Sequence, residues 1–155
     1  MERRVILADP VKCTGCRVCE LACSFKHEGV FSPSLSRIHV VKIEERGVNN
    51  PISCLDCSRM PCVDACPTGA CQVWKVDKAL CIGCRECVAA CPFGAMDYNP
   101  VSRVSFKCDL CNGDPECVKQ CIPGALTFGP GQDQAKAKRR DRTRVRYELT
   151  LAADS

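Results

Sequence analysis

The chain has 155 residues and a formal net charge of +4, and 17 of its residues are cysteine. Once the cysteines are set aside, roughly a third of the residues are apolar, so side-chain packing alone is a thin basis for a core. This cysteine density excludes an ordinary cytosolic enzyme core and leaves two classes, a secreted disulfide scaffold or a metalloprotein.

The arrangement of the cysteines argues against disulfides. Their number is odd, and sixteen of them fall into four tight groups, at residues 13–23, 54–66, 81–91 and 108–121. Twin arginines, Arg3 and Arg4, precede only four apolar residues. We therefore expect no export signal, and we expect a cytoplasmic location. No stretch reaches the ~18 apolar residues of a membrane span, which predicts a soluble protein.

The third group, at residues 81–91, has the spacing C-x2-C-x2-C-x3-C and is followed by Pro92. This is the bacterial ferredoxin pattern for cubane iron–sulfur clusters. Three thiolates on one tight loop can converge on a single cluster, and we expect Gly83 to let that loop pass close to inorganic sulfide. In two-cluster ferredoxins the fourth cysteine serves the other cluster, so one such group implies a second.

The other three groups are variants of the same spacing. The first keeps it but has Ser24 in the place of the proline, and the middle gap widens to four residues in the second group and five in the fourth. Each repeat is predicted to be a cluster loop, a helical turn and a strand. Four repeats predict an α+β chain of two ferredoxin-like folds in tandem, with an extended C-terminal tail.

Secondary structure is predicted for the segments around these groups. Strands are expected at residues 3–9, 37–43 and 126–128, a loop at 25–36, a turn at 47–51, and hairpins around 70–78 and over 96–106. We assign residues 1–130 to one four-cluster domain with an insert at 24–53. Residues 131–155 form a separate basic tail.

The tail carries seven basic residues and one acid between Lys136 and Arg146. It is expected to be either a solvated end or an arm that wraps an acidic surface, on this protein or on a partner. Each cluster with its four thiolates adds a charge of roughly −2, so four of them turn +4 into about −4. Nucleic acid is therefore not an expected partner.

Some residues outside the groups also have an expected role. We expect His27 and His39 to have surface or packing roles far from any group, and Cys71 and Trp74 to be buried apolar residues. Arg17 and Arg85 are expected at the surface.

Charged residues next to the groups are expected to set cluster potentials. Lys12 and Lys107 directly precede the first and fourth groups, and we expect them to raise the potentials there. The neighbouring Asp56 and Asp109 are expected to lower them.

The order of the spacings resembles a known family. Together with Lys107-Cys108-Asp109-Leu110-Cys111 and the following Gly113-Asp114-Pro115-x-Cys117-Val118, it is similar to the four-cluster ferredoxin-type electron-transfer subunits. Those subunits accompany molybdenum or tungsten pterin enzymes such as formate dehydrogenase and dimethyl sulfoxide reductase, hydrogenases, and carbon monoxide dehydrogenase. The resemblance covers residues 4–130. Residues 25–31 and 36–40 look most like the small subunits of tungsten aldehyde oxidoreductases.

The resemblance implies a nested pairing of the groups, first with fourth and second with third. It assigns four [4Fe-4S] clusters to Cys13, Cys16, Cys19 and Cys121; to Cys108, Cys111, Cys117 and Cys23; to Cys54, Cys57, Cys62 and Cys91; and to Cys81, Cys84, Cys87 and Cys66. From the residues alone, pairing in chain order stays open, and it would use the same sixteen cysteines.

The expected function is electron transfer without catalysis by the chain itself. The resemblance implies a hetero-oligomer in which electrons pass between a tungsten or molybdenum pterin subunit and a flavin subunit, a ferredoxin or another acceptor. Two alternatives stay within the same class, a free-standing polyferredoxin and a partner of a hydrogenase or carbon monoxide dehydrogenase. A third is a zinc-stapled interaction module, because zinc ribbons also use C-x2-C pairs.

Overall fold

The structure is a computed structural model that describes residues 4–131. Its helices and strands are, in chain order, β1 (Arg4–Ala8), α1 (Val18–Glu28), β2 (Ile38–Ile43), β3 (Val48–Ser53), α2 (Pro61–Asp64), α3 (Glu86–Ala90), β4 (Met96–Asn99), β5 (Val104–Lys107), α4 (Glu116–Lys119) and β6 (Leu126–Pro130). Short helices and strands of this kind confirm the predicted α+β class. None of the helices within residues 4–131 is long and apolar enough to cross a membrane. The predicted tail from residue 132 onward lies outside the described residues.

The strands pair into three antiparallel two-stranded sheets, β1 with β6, β2 with β3, and β4 with β5. The first of these joins the two ends of the described chain, from Arg4 opposite Pro130 to Ala8 opposite Leu126. The helices follow the same order, since α1 packs on α4 and α2 packs on α3. The middle elements are therefore nested between the outer ones. The strand and helix pairings do not follow the predicted tandem order. A duplication of the two halves stays a prediction.

Several predicted strands are confirmed by β1, β2, the β4–β5 hairpin and β6. The predicted turn at residues 47–51 is wrong beyond Gly47, because Val48–Ser53 forms β3 against β2. Asn49, Asn50 and Pro51 are poor strand formers, which is why the sequence favoured a turn there. A two-stranded sheet leaves β3 one free edge, where proline is tolerated in a strand.

The predicted loop at residues 25–36 is shortened by α1, which continues to Glu28 and ends at Gly29 in the left-handed region. Ser24 stands where the second and third groups have proline, and unlike proline it leaves the helical hydrogen bonds intact. Its buried hydroxyl donates to the Leu21 carbonyl at 3.1 Å and accepts from the Ser32 N–H at 3.0 Å. Ser24 thus ties the helix to the loop that follows it.

Sulfur occupies a large part of the interior. The main core cluster has nine buried residues, of which four are cysteine, namely Cys19, Cys23, Cys108 and Cys117. A second core cluster consists of Cys71, Cys87 and Met96. The prediction of a thin apolar core therefore holds, and the thiols lie where hydrophobic side chains lie in other proteins.

The four cysteine loops share one backbone feature. The residue directly before the second cysteine has a positive φ in every group, and these residues are Gly15, Asp56, Gly83 and Leu110. Glycine adopts this conformation without a steric penalty. A Cβ on Gly83 would also lie 2.6 Å from the Arg103 carbonyl oxygen. This carbonyl, in the turn between β4 and β5, is therefore a neighbour that requires glycine at this position, and the expected approach to sulfide stays a prediction.

The close approach at Gly83 generates a prediction about stability. We expect Gly83→Ala to lower the free energy of unfolding by ~1–2 kcal/mol for the left-handed backbone and by a further ~1–3 kcal/mol for the clash with Arg103. Gly94→Ala is the matched control, because Gly94 also has a positive φ but has nothing near its Cβ position. Denaturant unfolding of both anaerobically prepared variants measures the difference. Equal losses would contradict the role of the Arg103 contact.

Candidate metal centres

Four thiols line one cavity between α2 and α3. Three of them, Cys54, Cys57 and Cys62, come from the second group, and Cys91 comes from the end of the third. Burial raises the pKa of Cys57, and the charges of Cys91 and Cys62 raise it further. The fourth cysteine of one group thus lies beside the first three of another.

The third group receives its fourth thiol from the second. Burial raises the pKa of Cys87, and the nearby charges of Cys66 and Cys81 act in the same direction. Cys66 itself accepts a hydrogen bond from the Cys71 N–H at 3.3 Å. That bond is the main reason that the pKa of Cys66 is lowered.

The outer two groups exchange their last cysteines in the same manner. Burial raises the pKa of Cys19 to about 12, with further contributions from Glu20, Cys16 and Cys121. Burial also raises the pKa of Cys117, and the charges of Cys108 and Cys23 add to it. The packing of α1 on α4 produces this exchange, since Cys19 and Cys23 lie on α1 and Cys117 lies on α4.

In each case the last cysteine of one group thus lies near thiols of the group with which the nested arrangement pairs it. We name each set of thiols after the group that supplies three of its members: the first site (with Cys121), the second site (with Cys91), the third site (with Cys66) and the fourth site (with Cys23).

Backbone N–H groups point at four of the sulfur atoms. The donors are Arg37 to Cys23 at 3.3 Å, Cys71 to Cys66 at 3.3 Å, Ala95 to Cys91 at 3.4 Å and Leu110 to Cys108 at 3.4 Å. Such bonds stabilise negative charge on sulfur and set the potentials of iron–sulfur clusters. The sequence showed a repeated Gly-Ala exit after the groups but gave it no role. At Ala95 and at Cys71, directly after Ala70, this exit turns an N–H back toward the preceding cysteine.

Lys107 is placed differently from our expectation. Its buried ammonium lies 3.6 Å from Cys71 Sγ and 3.9 Å from Cys62 Sγ, so it faces the second site and not the fourth. Lys107 is the last residue of β5, and strand geometry turns its side chain away from the loop that begins at Cys108. Lys12 is exposed and lies 4.0 Å from the Asp9 carboxylate.

His27 also departs from the prediction. The expectation that both histidines lie far from the groups is wrong for His27, whose Nε2 is 3.6 Å from Cys111 Sγ and 3.4 Å from Asp109 Oδ1. Burial lowers the pKa of His27, and the Arg37 charge acts in the same direction. The extension of α1 beyond Ser24 brings this histidine to the fourth site, a contact that the spacing did not reveal.

The predictions for the other histidine, for Cys71 and Trp74 and for the two surface arginines are confirmed. His39 has a packing role, with Nε2 2.9 Å from Asp97 Oδ2 across the β2 and β4 elements. Cys71 is buried and Trp74 packs against the main core cluster. Arg17 and Arg85 are exposed.

The donor sets fit iron–sulfur clusters. Each site offers four soft sulfur ligands, the type that binds Fe–S clusters or zinc. Burial raises the pKa of Cys108 to about 12, so this thiol is neutral at pH 7 unless a metal displaces its proton. The buried Lys107 ammonium faces the second site, where a negatively charged cluster would compensate its charge.

Comparison with known proteins favours iron over zinc. Residues 10–26 and 74–97 each match a model described as a 4Fe-4S binding domain. The chain is 45% identical over 117 residues to the polyferredoxin-like subunit of an aliphatic sulfonate oxidoreductase from Pyrococcus furiosus, covering 71% of this chain and 66% of that protein. It is 41% identical over 137 residues to the electron transport protein HydN of Escherichia coli, covering 70% of this chain and 76% of that protein. For the putative oxidoreductase UacF of Escherichia coli, the match spans only 18% of the relative.

A solved structure has a similar fold. It is the active site complex BamBC of benzoyl coenzyme A reductase with benzoyl-CoA, one chain of which matches with a TM-score of 0.52 and 27% identity. The match covers 83% of this chain and 80% of that chain.

Removal of the metal is predicted to unfold the protein. Metal binding to four cysteines contributes about 10–16 kcal/mol in zinc peptides, as much as or more than the roughly 5–15 kcal/mol that stabilises a whole domain. We expect chelation of iron to abolish the cooperative unfolding transition and the hydrogen-exchange protection of the β1–β6 amides. Circular dichroism and exchange measurements before and after chelation test this. A chelated chain that keeps both would show that the apolar residues suffice.

Proposed function

Because the chain belongs to the family of ferredoxin-type 4Fe-4S electron-transfer proteins, we propose that it relays single electrons through four [4Fe-4S] clusters between a catalytic oxidoreductase subunit and a second redox partner. The observation that carries this proposal is the convergence of four sets of cysteine thiols from distant groups. When bound, each cluster supplies a centre that accepts and releases one electron.

We propose that each of the four sites holds its cluster through the four thiols named above. The first site uses Cys13, Cys16, Cys19 and Cys121; the second Cys54, Cys57, Cys62 and Cys91; the third Cys81, Cys84, Cys87 and Cys66; and the fourth Cys108, Cys111, Cys117 and Cys23. The chain's own contribution is to hold and orient these thiols, and to aim N–H dipoles at several of them.

The contacts between sites support a single row. Cys19 lies close enough to Cys117 for a negative charge on it to raise the pKa of Cys117, which connects the first site to the fourth. In the same way Cys54 raises the pKa of Cys108, which connects the fourth site to the second. Cys71 lies within reach of the charges of both Cys62 and Cys87, which connects the second to the third. The proposed order is first, fourth, second, third.

The exposure of the cysteines supports a port at each end of this row. Two of the seventeen cysteines are exposed, Cys16 in the first site and Cys84 in the third. Large apolar side chains nearby in the chain are also open to solvent, with Val11 76% exposed and Ile82 67% exposed. An exposed ligand with an apolar surround suits docking of a redox partner, because electron transfer needs a short distance between centres.

Relatives support a subunit role. One is named an electron transfer subunit, PhsB of a thiosulfate reductase from Salmonella typhi, which is 38% identical over 120 residues. Others are a polyferredoxin-like subunit and a chain of an active site complex. We propose a hetero-oligomer with a tungsten or molybdenum pterin subunit of the aldehyde oxidoreductase type, and with a flavin subunit or ferredoxin as the other partner. The pterin assignment rests on the resemblance of residues 25–31 and 36–40.

Iron content and a bound partner test the proposal. We expect anaerobically purified protein to be brown and to contain about sixteen iron atoms per chain, as four cubanes require. Native purification of a tagged chain is expected to retain a catalytic subunit. Zinc in place of iron would overturn the function. A loaded chain that purifies alone would favour a free-standing polyferredoxin.

The pairing of the groups has its own prediction. In the nested arrangement Cys121→Ser perturbs the EPR signal of the first site, whereas pairing in chain order would place the effect at the third. Cys16→Ser and Cys84→Ser identify these two signals, because each residue belongs to its own group in either arrangement. We expect Cys121→Ser to alter the signal that Cys16→Ser alters. A change confined to the Cys84 signal would exclude nesting.

A further inference from the structure

Lys107 and Cys71 form a buried pair that the proposed ligand sets do not use. Lys107 is 5% exposed and Cys71 is 1% exposed. The lysine ammonium lies 3.6 Å from Cys71 Sγ and 3.9 Å from Cys62 Sγ, within the distance of a hydrogen bond to sulfur. A lysine is almost never this buried without a compensating charge, so its position requires an explanation.

The pair lies between the second and third sites. Lys107 lines the cavity that contains Cys54, Cys57 and Cys91, together with Asp56. The Cys71 backbone N–H donates to Cys66 Sγ of the third site, and its side chain packs in one cluster with Cys87. Cys71 therefore contacts the third site through its backbone N–H. Its thiol contacts the Lys107 ammonium, which faces the second site.

The direction of the effect follows from electrostatics. The Lys107 charge already lowers the pKa of Cys54, which burial raises. Reduction adds one negative charge to a cluster, so a fixed cation beside it favours the reduced state. Because the ammonium is buried, salt screens its effect far less than that of a surface lysine.

We infer that Lys107, held in place by Cys71, raises the reduction potential of the second site and makes it the preferred resting position for an electron in the inner half of the row. This inference rests on the proposed function. It also gives the seventeenth cysteine a positioning role, since the Cys71 sulfur accepts a hydrogen bond from the ammonium in a place that excludes water.

The test is a redox titration of the assembled, iron-loaded protein, followed by EPR. Lys107→Met keeps the length and the apolar stem of the side chain but removes its charge. We expect the reduced-to-oxidised ratio of the second site at a fixed potential to fall at least tenfold, which equals about 59 mV for one electron. Cys57→Ser identifies the second-site signal and Cys111→Ser the fourth, because each residue belongs to its own group in either pairing.

Three further variants separate charge from packing. Lys107→Arg is expected to restore most of the potential. Lys12→Met is the matched control, because Lys12 also directly precedes a group but is exposed, and it is expected to leave the second-site potential unchanged. Cys71→Ala is expected to lower the second-site potential by less than Lys107→Met does. If Lys107→Met fails to assemble, the Cys71→Ala result tests the inference in its place.

The outcomes distinguish this inference from the proposed function. A second-site shift that persists at high salt supports the inference. An unchanged second site, or a shift confined to the fourth site, overturns it while the iron content and the four signals leave the proposed function intact. Absence of iron in the wild-type chain would overturn both.

Discussion

The fold depends on burying cysteine sulfur where other proteins bury hydrocarbon. Cys19 and Cys108 lie in the main core cluster, and burial raises the pKa of each to about 12. A buried thiol is a modest apolar residue when protonated, but it becomes a strong ligand when a metal displaces the proton. With iron bound as proposed, folding and metal binding become one equilibrium, and the metal sites take the place of a larger apolar core.

The exchange of fourth cysteines explains the nested topology. Cys121 lies beside Cys19, and Cys23 lies beside Cys117, so in the proposed ligand sets the first and last groups complete each other's sites. The β1–β6 sheet and the packing of α1 on α4 have the same consequence, because they bring the two ends of the described chain together. Strand pairing and the exchange of cysteines thus both favour the nested arrangement. Because the two agree, they specify this topology together.

The cysteine spacing predicted what is local, and it did not predict what depends on tertiary contacts. The loops, the short helices after them and strands β1, β2 and β6 follow from sequence pattern. The β3 strand did not, because its Asn49-Asn50-Pro51 run has low strand propensity and forms only by pairing with β2. For the sites, the groups were readable, but the direction of the Lys107 side chain was not. Adjacency in sequence indicated the fourth group, whereas the strand geometry of β5 turns the ammonium to the second.

In the proposed row of sites, the exposed ligands and the buried cations lie at different positions. The two ends carry the exposed cysteines, Cys16 and Cys84, while basic side chains are held beside the two sites in the middle. Arg37 donates its backbone N–H to Cys23 of the fourth site, and its charge lowers the pKa of that thiol against the effect of burial. At the second site, Lys107 contributes its side-chain ammonium, which lies 3.9 Å from Cys62 Sγ. A cation near an exposed end would be screened by water and salt, whereas a buried cation in the middle is screened much less. The proposed relay would therefore hold electrons in its interior and exchange them at its ends.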